Sequence, residues 1–307
     1  MRKTNNIGLV GCGIWGKKIL KTLLEKNVDV TVFEASQAYQ EEALNLGAKK
    51  FIVYKQSLAK EIKQQFDGIV VATPSSTHRT VIEELSDFSI PLFVEKPLTT
   101  NLADAQSLVE ISHNEIFMMH IWQYHPGINM LASIAKEKKL GELLQIKTSR
   151  TNWTSPRIDT DTLWNFMAHD LSIFQTILGE IPKPVFAIAE KHNDVKRDLT
   201  VIFGKQPYCV TQLSNRSESK MREVRLQCSK GVARLKNEQD NYIEIIHGDD
   251  KSAEPSIERI TLDNTTALET ELTVFLDYLN GGPPPISNLY DGLRIIETID
   301  EIDKLTS

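Results

Sequence analysis

The stretch from Ile7 to Glu34 constrains the fold more than any other. An apolar run, IGLV (7–10), meets GCGIWG, with glycines at 11, 13 and 16. Ile19, Leu20, Leu23 and Leu24 then recur at helical spacing, and VDVTVFEAS (28–36) reads as a second strand with Glu34 at its end. Each part of this strand, glycine turn, helix, strand and acid has a physical reason. Gly11 permits a tight turn that a side chain would block. Gly13 lets backbone approach a pyrophosphate, and Gly16 lets the helix pack close on the sheet. Ile14 and Trp15 stand at the helix start, where free N–H groups and the positive dipole end favour phosphate. Glu34 is placed to accept hydrogen bonds from an adenosine ribose diol. Its carboxylate would repel a 2′-phosphate, so the pattern predicts NAD in preference to NADP.

The alternation continues. A helix is expected over 36–46, from Ser36 as N-cap to a stop before Gly47, then a strand at 49–53. A helix over 57–66 leads to a strand at 68–73, Ser75 or Ser76 caps the next helix, and a strand follows at 90–97. Asn101 caps a helix over 102–112, and EIFMMH (115–120) is a sixth strand. Strands alternating with helices at this spacing imply a parallel sheet. Polar residues stand directly after the strands: Glu34, Thr73-Pro74, Glu95-Lys96-Pro97 and His120. Open α/β sheets bind ligands at the carboxyl ends of their strands.

Composition excludes several classes. The 307 residues carry a net charge of −6 with no block of five basic residues, so nucleic acid is not an expected partner. Three cysteines, Cys12, Cys209 and Cys228, have no paired metal-ligand spacing and cannot build a disulfide framework. No metal is expected, and a reducing compartment is. The first apolar run is too short for a signal sequence and no run of about 18 apolar residues occurs. A cytoplasmic protein is the expectation.

GxGxxG near the start, TPxxxH (Thr73, Pro74, His78) and EKP (95–97) together resemble the Gfo/Idh/MocA oxidoreductases, and the likeness runs through nearly the whole chain. That family oxidises or reduces sugars and cyclitols with NAD(P). The resemblance implies that Lys96 contacts a substrate hydroxyl and the nicotinamide ribose, and that Thr73, Pro74, His78 and Glu95 line the cofactor. A D-x-x-x-H pattern supplies acid–base groups in many members. NFMAH (165–169) aligns with it: His169 matches, and Asn165 stands where Asp is usual. The chemistry also stands without the family. Removing hydride from a secondary alcohol requires a base for its O–H proton. Lysine is a poor base at its ordinary pKa of about 10.4, whereas imidazole, near 6.5, is suited. Lysine orienting the oxygen and histidine taking the proton divides the work sensibly. An amide at 165 cannot act as a general base near neutral pH, which leaves it a polar contact or a histidine orienter.

From about residue 121 the pattern changes, so the expected domains are 1–120, binding the dinucleotide, and 121–307, binding substrate. A helix from Pro126 with Gly141 past its end precedes an alternating strand at 142–153. A helix over 161–178 carries Asn165 and His169. Strands are expected near 184–191, 198–204, 207–214, 222–228, 232–236 and 241–247, then a polar loop over 248–256 and helices over 266–280 and 288–304. This is an α+β domain on an open, mainly antiparallel sheet, behind a Rossmann doubly wound sheet. An apolar outer face would need a partner subunit, so a homo-oligomer is expected. HIWQYHP (120–126), LWNFMAHDLSI (163–173) and SKMREVRL (219–226) resemble members acting on nucleotide-linked sugars. Tyr124, Arg150, Arg157, Lys220 and Arg222 are thereby candidates to touch sugar or phosphate, beside Lys96, Asn165 and His169. The alternatives are a free-sugar or inositol dehydrogenase, and a dinucleotide sensor with a decayed site.

Overall fold

The computed structural model describes residues 5–63, 65–154, 161–248 and 256–306. It opens with β1 (Asn6–Val10), α1 (Ile14–Glu25), β2 (Asp29–Glu34), α2 (Gln40–Leu46), β3 (Lys50–Val53), β4 (Gly68–Val71), α3 (His78–Leu85), β5 (Leu92–Glu95), α4 (Leu102–Ile111) and β6 (Ile116–Met119). Next come α5 (Pro126–Lys136), β7 (Leu143–Trp153) and α6 (Thr162–Leu178). Seven strands follow: β8 (Pro184–His192), β9 (Val195–Phe203), β10 (Tyr208–Ser214), β11 (Arg216–Cys228), β12 (Gly231–Leu235), β13 (Tyr242–His247) and β14 (Ser256–Thr261). Helices α7 (Ala267–Leu279) and α8 (Leu289–Leu305) close the chain.

The chain forms two compact units. One comprises residues up to His120 together with Leu268–Ile296; the other comprises Ile121–Ala267 and the residues from Glu297 on. The first unit holds a wholly parallel sheet in the order β3-β2-β1-β4-β5-β6. Its central strands are apolar throughout because helices cover both faces. The order reverses between β1 and β4, and such a switch point leaves a crevice at the strand tips. A single division of the chain at 120/121 does not describe this unit, because α7 packs on its sheet. Phe275 stacks on Phe93 with ring centroids 4.8 Å apart. Gly68 leaves room for it: a Cβ there would lie 2.9 Å from the Phe275 ring.

Two expected helices are shorter than their patterns. Among the described residues of 57–66, only Ala59–Glu61 turns, as 3-10 helix. Glu84 holds the segment from outside, accepting from Ser57 Oγ (2.7 Å) and Ala59 N (3.1 Å), and Leu58 supplies its fully buried anchor. α5 stops at Lys136 because the charged run after it cannot extend an apolar stripe, and Lys138 takes a left-handed φ of 53°.

The second unit's described strands form one sheet, β14-β13-β12-β11-β7-β10-β9-β8, antiparallel except for the β7–β10 pair. Its outermost strand β14 begins where a loop was expected. The sheet is amphipathic by register. Leu199, Val201 and Phe203 of β9 and Cys209, Thr211 and Leu213 of β10 are buried on the α6 side, where Phe174 meets Phe203 edge-on. The intervening residues Ile202 and Val210 pair with Phe186 in a row on the opposite face. No helix among the described residues is long and apolar enough to cross a membrane.

Candidate active site

The glycine turn is built by exclusion. Gly11 takes φ +93°, and a Cβ there would come within 2.7 Å of the Ala72 carbonyl at the end of β4. Gly16 faces the Gly11 carbonyl so closely that a Cβ would collide with backbone. Gly13 differs: a Cβ would meet nothing within 4 Å. It is the N-cap of α1, with no side chain capping the first amides and no acid in the first turn. Ile14 beside it is exposed. An open approach to uncapped helix amides is what a diphosphate requires.

Glu34 closes the other side. Its Oε2 accepts from Cys12 N (2.7 Å), and its Oε1 accepts from Ala35 N (2.8 Å) and Ser36 N (3.2 Å). The carboxylate is thereby fixed between the glycine turn and the end of β2, with a lone pair on Oε2 left for a hydroxyl donor. Open cradle, free amides and fixed carboxylate fit a dinucleotide's pyrophosphate and ribose.

The tips of β4, β5 and β6 are tied together. Glu95 accepts from Trp15 Nε1 and from Lys96 N (3.1 Å). Burial pushes its carboxyl up to about 7, against the lowering pull of the Lys96 charge. His78 is fully buried, with Nδ1 2.9 Å from the Pro97 carbonyl and Nε2 3.0 Å from that of Thr73, so its ring lies between the β4 and β5 tips. Burial holds its pKa below the ordinary value, against the raising pull of the carbonyls around it. His120 bonds Ser287 through Nδ1 (2.7 Å), and burial, with Lys96 adding to it, lowers its pKa to about 4. Thr73 and Pro74 form the turn before α3, Thr77 Oγ1 donating to the Pro74 carbonyl (2.7 Å). Lys96 is half-buried and joined to Pro97 by a cis peptide.

In the second unit, Asp161 caps α6 by accepting from Trp164 N (3.0 Å), and Gly179 ends the helix at φ 81°. Asn165 and His169 are both half-buried, one turn apart on one face. The cationic candidates are already engaged. Arg150 is buried, donates to Asp170 Oδ2 (3.1 Å) and lies 4.7 Å over the Trp122 ring. Arg222 lies beside Arg150 in the β7–β11 ladder and donates to the Thr151 and Met221 carbonyls at 2.8 and 2.6 Å. Lys220 pairs with Glu238 at 2.7 Å. Tyr124 is buried, and Arg157 lies outside the described residues. Asp170, on the buried side of α6, is the partner of Arg150.

Residues 5–120 match the model of the GFO_IDH_MocA oxidoreductase family, NAD-binding Rossmann fold. In this domain the chain is similar to the Gfo/Idh/MocA oxidoreductases. Inositol 2-dehydrogenase from Rhizobium meliloti (strain 1021) is 21% identical over 323 positions, covering 97% of this chain and 95% of that one. The 2,7-anhydro-N-acetylneuraminate hydratase of Escherichia coli (strain K12) is 25% identical over 200 residues, 60% of this chain and 52% of that one, so the match spans about half of that relative's length. In fold, the chain is similar to UDP-N-acetylglucosamine 3-dehydrogenase from Acidithiobacillus ferrooxidans, with a TM-score of 0.82 at 20% identity, covering 99% of this chain and 98% of that one.

One buried group is not among the residues that the sequence pattern singles out. Glu271 of α7 is fully buried, and neither carboxylate oxygen has a hydrogen-bond partner. Burial first, and then the nearby Glu95 charge, raise its pKa well above the carboxylate range. A signal was present: Glu271 interrupts the stripe of Leu268, Leu272, Phe275 and Leu279.

Proposed function

We propose that this protein is an NAD-dependent oxidoreductase that exchanges hydride with a secondary hydroxyl or ketone of a sugar, free or nucleotide-linked. The observation that carries the reading is the glycine turn open at Gly13 with Glu34 fixed opposite it. That arrangement favours NAD over NADP, because a 2′-phosphate would meet a carboxylate with three donors already bound to it. When bound, NAD accepts or returns the hydride. Lys96 orients the substrate oxygen, and His169 takes or gives the hydroxyl proton. Asn165 contributes a polar contact without charge. The dehydrogenase names of the relatives support a sugar or cyclitol substrate, and the protein works as a homo-oligomer.

The test is absorbance at 340 nm with pooled sugars and sugar nucleotides. Wild type transfers hydride to or from at least one member, and Lys96→Ala lowers kcat at least 100-fold while NADH affinity stays within about threefold. Normal turnover in that variant refutes the assignment. A second reading, a dinucleotide sensor, is favoured by Asn165. It prevails if NADH binds and no pool moves the absorbance.

A further inference from the structure

Three buried cations stand where β7 and β10 end and β9 begins, and two are matched by carboxylates. Arg150 pairs with Asp170, and Lys196 pairs with Asp303 and, at 3.7 Å, with Asp161. Arg197 has no such match among the described residues. It is 6% exposed, and its Nε and Nη1 are closed to solvent without a hydrogen-bond partner. Its cross-strand neighbours share the condition. Asn215 donates its backbone N–H to the Arg197 carbonyl (3.0 Å), is 7% exposed, and has an unpartnered Oδ1. Asn152 follows Thr151, which pairs with Ser214, so it extends the row onto β7; its Oδ1 is also buried and unpartnered. All three continue the parity of Leu199, Leu213 and Arg150, the face packed against α6.

A packed interior does not tolerate such a row without reason. A guanidinium taken out of water with no counter-charge keeps its full desolvation cost, and each unsatisfied carbonyl adds its own. The pattern is specific: a cationic donor beside two amide groups, on three adjacent strands. Strand spacing of about 4.8 Å sets the outer two positions about 10 Å apart, on the scale of a sugar ring with its substituents. Negative charge would satisfy Arg197, and hydroxyl donors would satisfy the amides.

We propose that the Arg197–Asn215–Asn152 row recognises the oxyanion of an acidic sugar, a carboxylate or a phosphate, with the two amides taking neighbouring hydroxyls. The inference rests on the sugar-oxidoreductase reading and narrows its substrate class.

The experiment uses the full chain saturated with NAD. Panels of neutral hexoses, their hexuronates and their 6-phosphates are titrated calorimetrically and followed at 340 nm. Wild type should bind members of one acidic panel at least tenfold more tightly than the neutral counterparts, and the panel that wins identifies carboxylate or phosphate. Arg197→Gln should collapse that ratio toward one. Asn152→Asp, which sets a negative charge in the row, should do the same and serves if the first variant does not keep its circular dichroism. The proposal is overturned if wild type shows no preference for acidic sugars, or if folded variants retain it. It is equally overturned if Arg197→Met only raises the melting temperature. Arg197-dependent binding with no absorbance change would sink hydride transfer and leave this row standing. Oxidation of neutral sugars regardless of position 197 would do the reverse.

Discussion

Single residues at the first unit's strand tips separate packing from binding. Gly13 has φ −66°, which any residue adopts, and open space where a Cβ would go. Gly13→Ala should therefore melt within about 2 °C of wild type yet bind NADH at least tenfold more weakly, about 1.4 kcal/mol. Gly16→Ala drives a methyl into the Gly11 carbonyl and should cost about 1–3 kcal/mol of stability. Thermal melts beside NADH fluorescence titrations check both; equal behaviour of the two variants would contradict the open cradle. Glu271 gives a pH signature. A carboxyl with a higher pKa in the fold than its ordinary 4.5 binds its proton more tightly when folded, so stability falls as pH rises above 4.5. Glu95 adds to the fall up to its own value of about 7, and Lys96 opposes it. Glu271→Gln, which cannot ionise, should raise the urea midpoint relative to wild type more at pH 8 than at pH 5. The same difference at both pH values would mean that ionisation there is not resisted.

Elements were legible where local chemistry marks both ends. Asn101 accepts from Asp104 N (2.9 Å) as the N-cap of α4, and α6 runs between Asp161 and Gly179 as its sequence implies. The tip residues of β1, β2, β5 and β6 were legible because ligand groups follow strands in such sheets. The 57–66 segment was not, since its apolar spacing looks helical and the carboxylate that holds it, Glu84, is distant in sequence. Nor was the row of Arg197, Asn215 and Asn152, whose members meet only through strand pairing that no spacing announces. The packing of α7 on the first sheet is likewise a tertiary outcome, resting on Phe275 and the vacancy left by Gly68. Phe275→Ala should remove about 3–5 kcal/mol, read from urea unfolding. A loss below about 1 kcal/mol would show that the first unit does not depend on α7.

At the scale of the whole molecule, the outer face of the second sheet asks for a partner. Phe186 and Ile188 of edge strand β8 are 52% and 60% exposed, and the Phe186–Ile202–Val210 row continues into Lys147, Arg225 and Arg234. Glu244 on the same face is held by Arg234, Lys236 and Arg259. An apolar patch grading into mixed charge can meet its own copy about a twofold axis, because apolar then covers apolar and the charged parts interleave. An isolated chain would leave the apolar end wet, which monomers rarely do over a large area. Light scattering at micromolar concentration should accordingly give a multiple of the chain mass. Replacing Phe186 and Ile188 together by Glu should lower that multiple while circular dichroism is kept, because neither side chain belongs to the face packed on α6. A monomeric wild type, or a double variant with unchanged mass, would mean that this face is not what joins the copies.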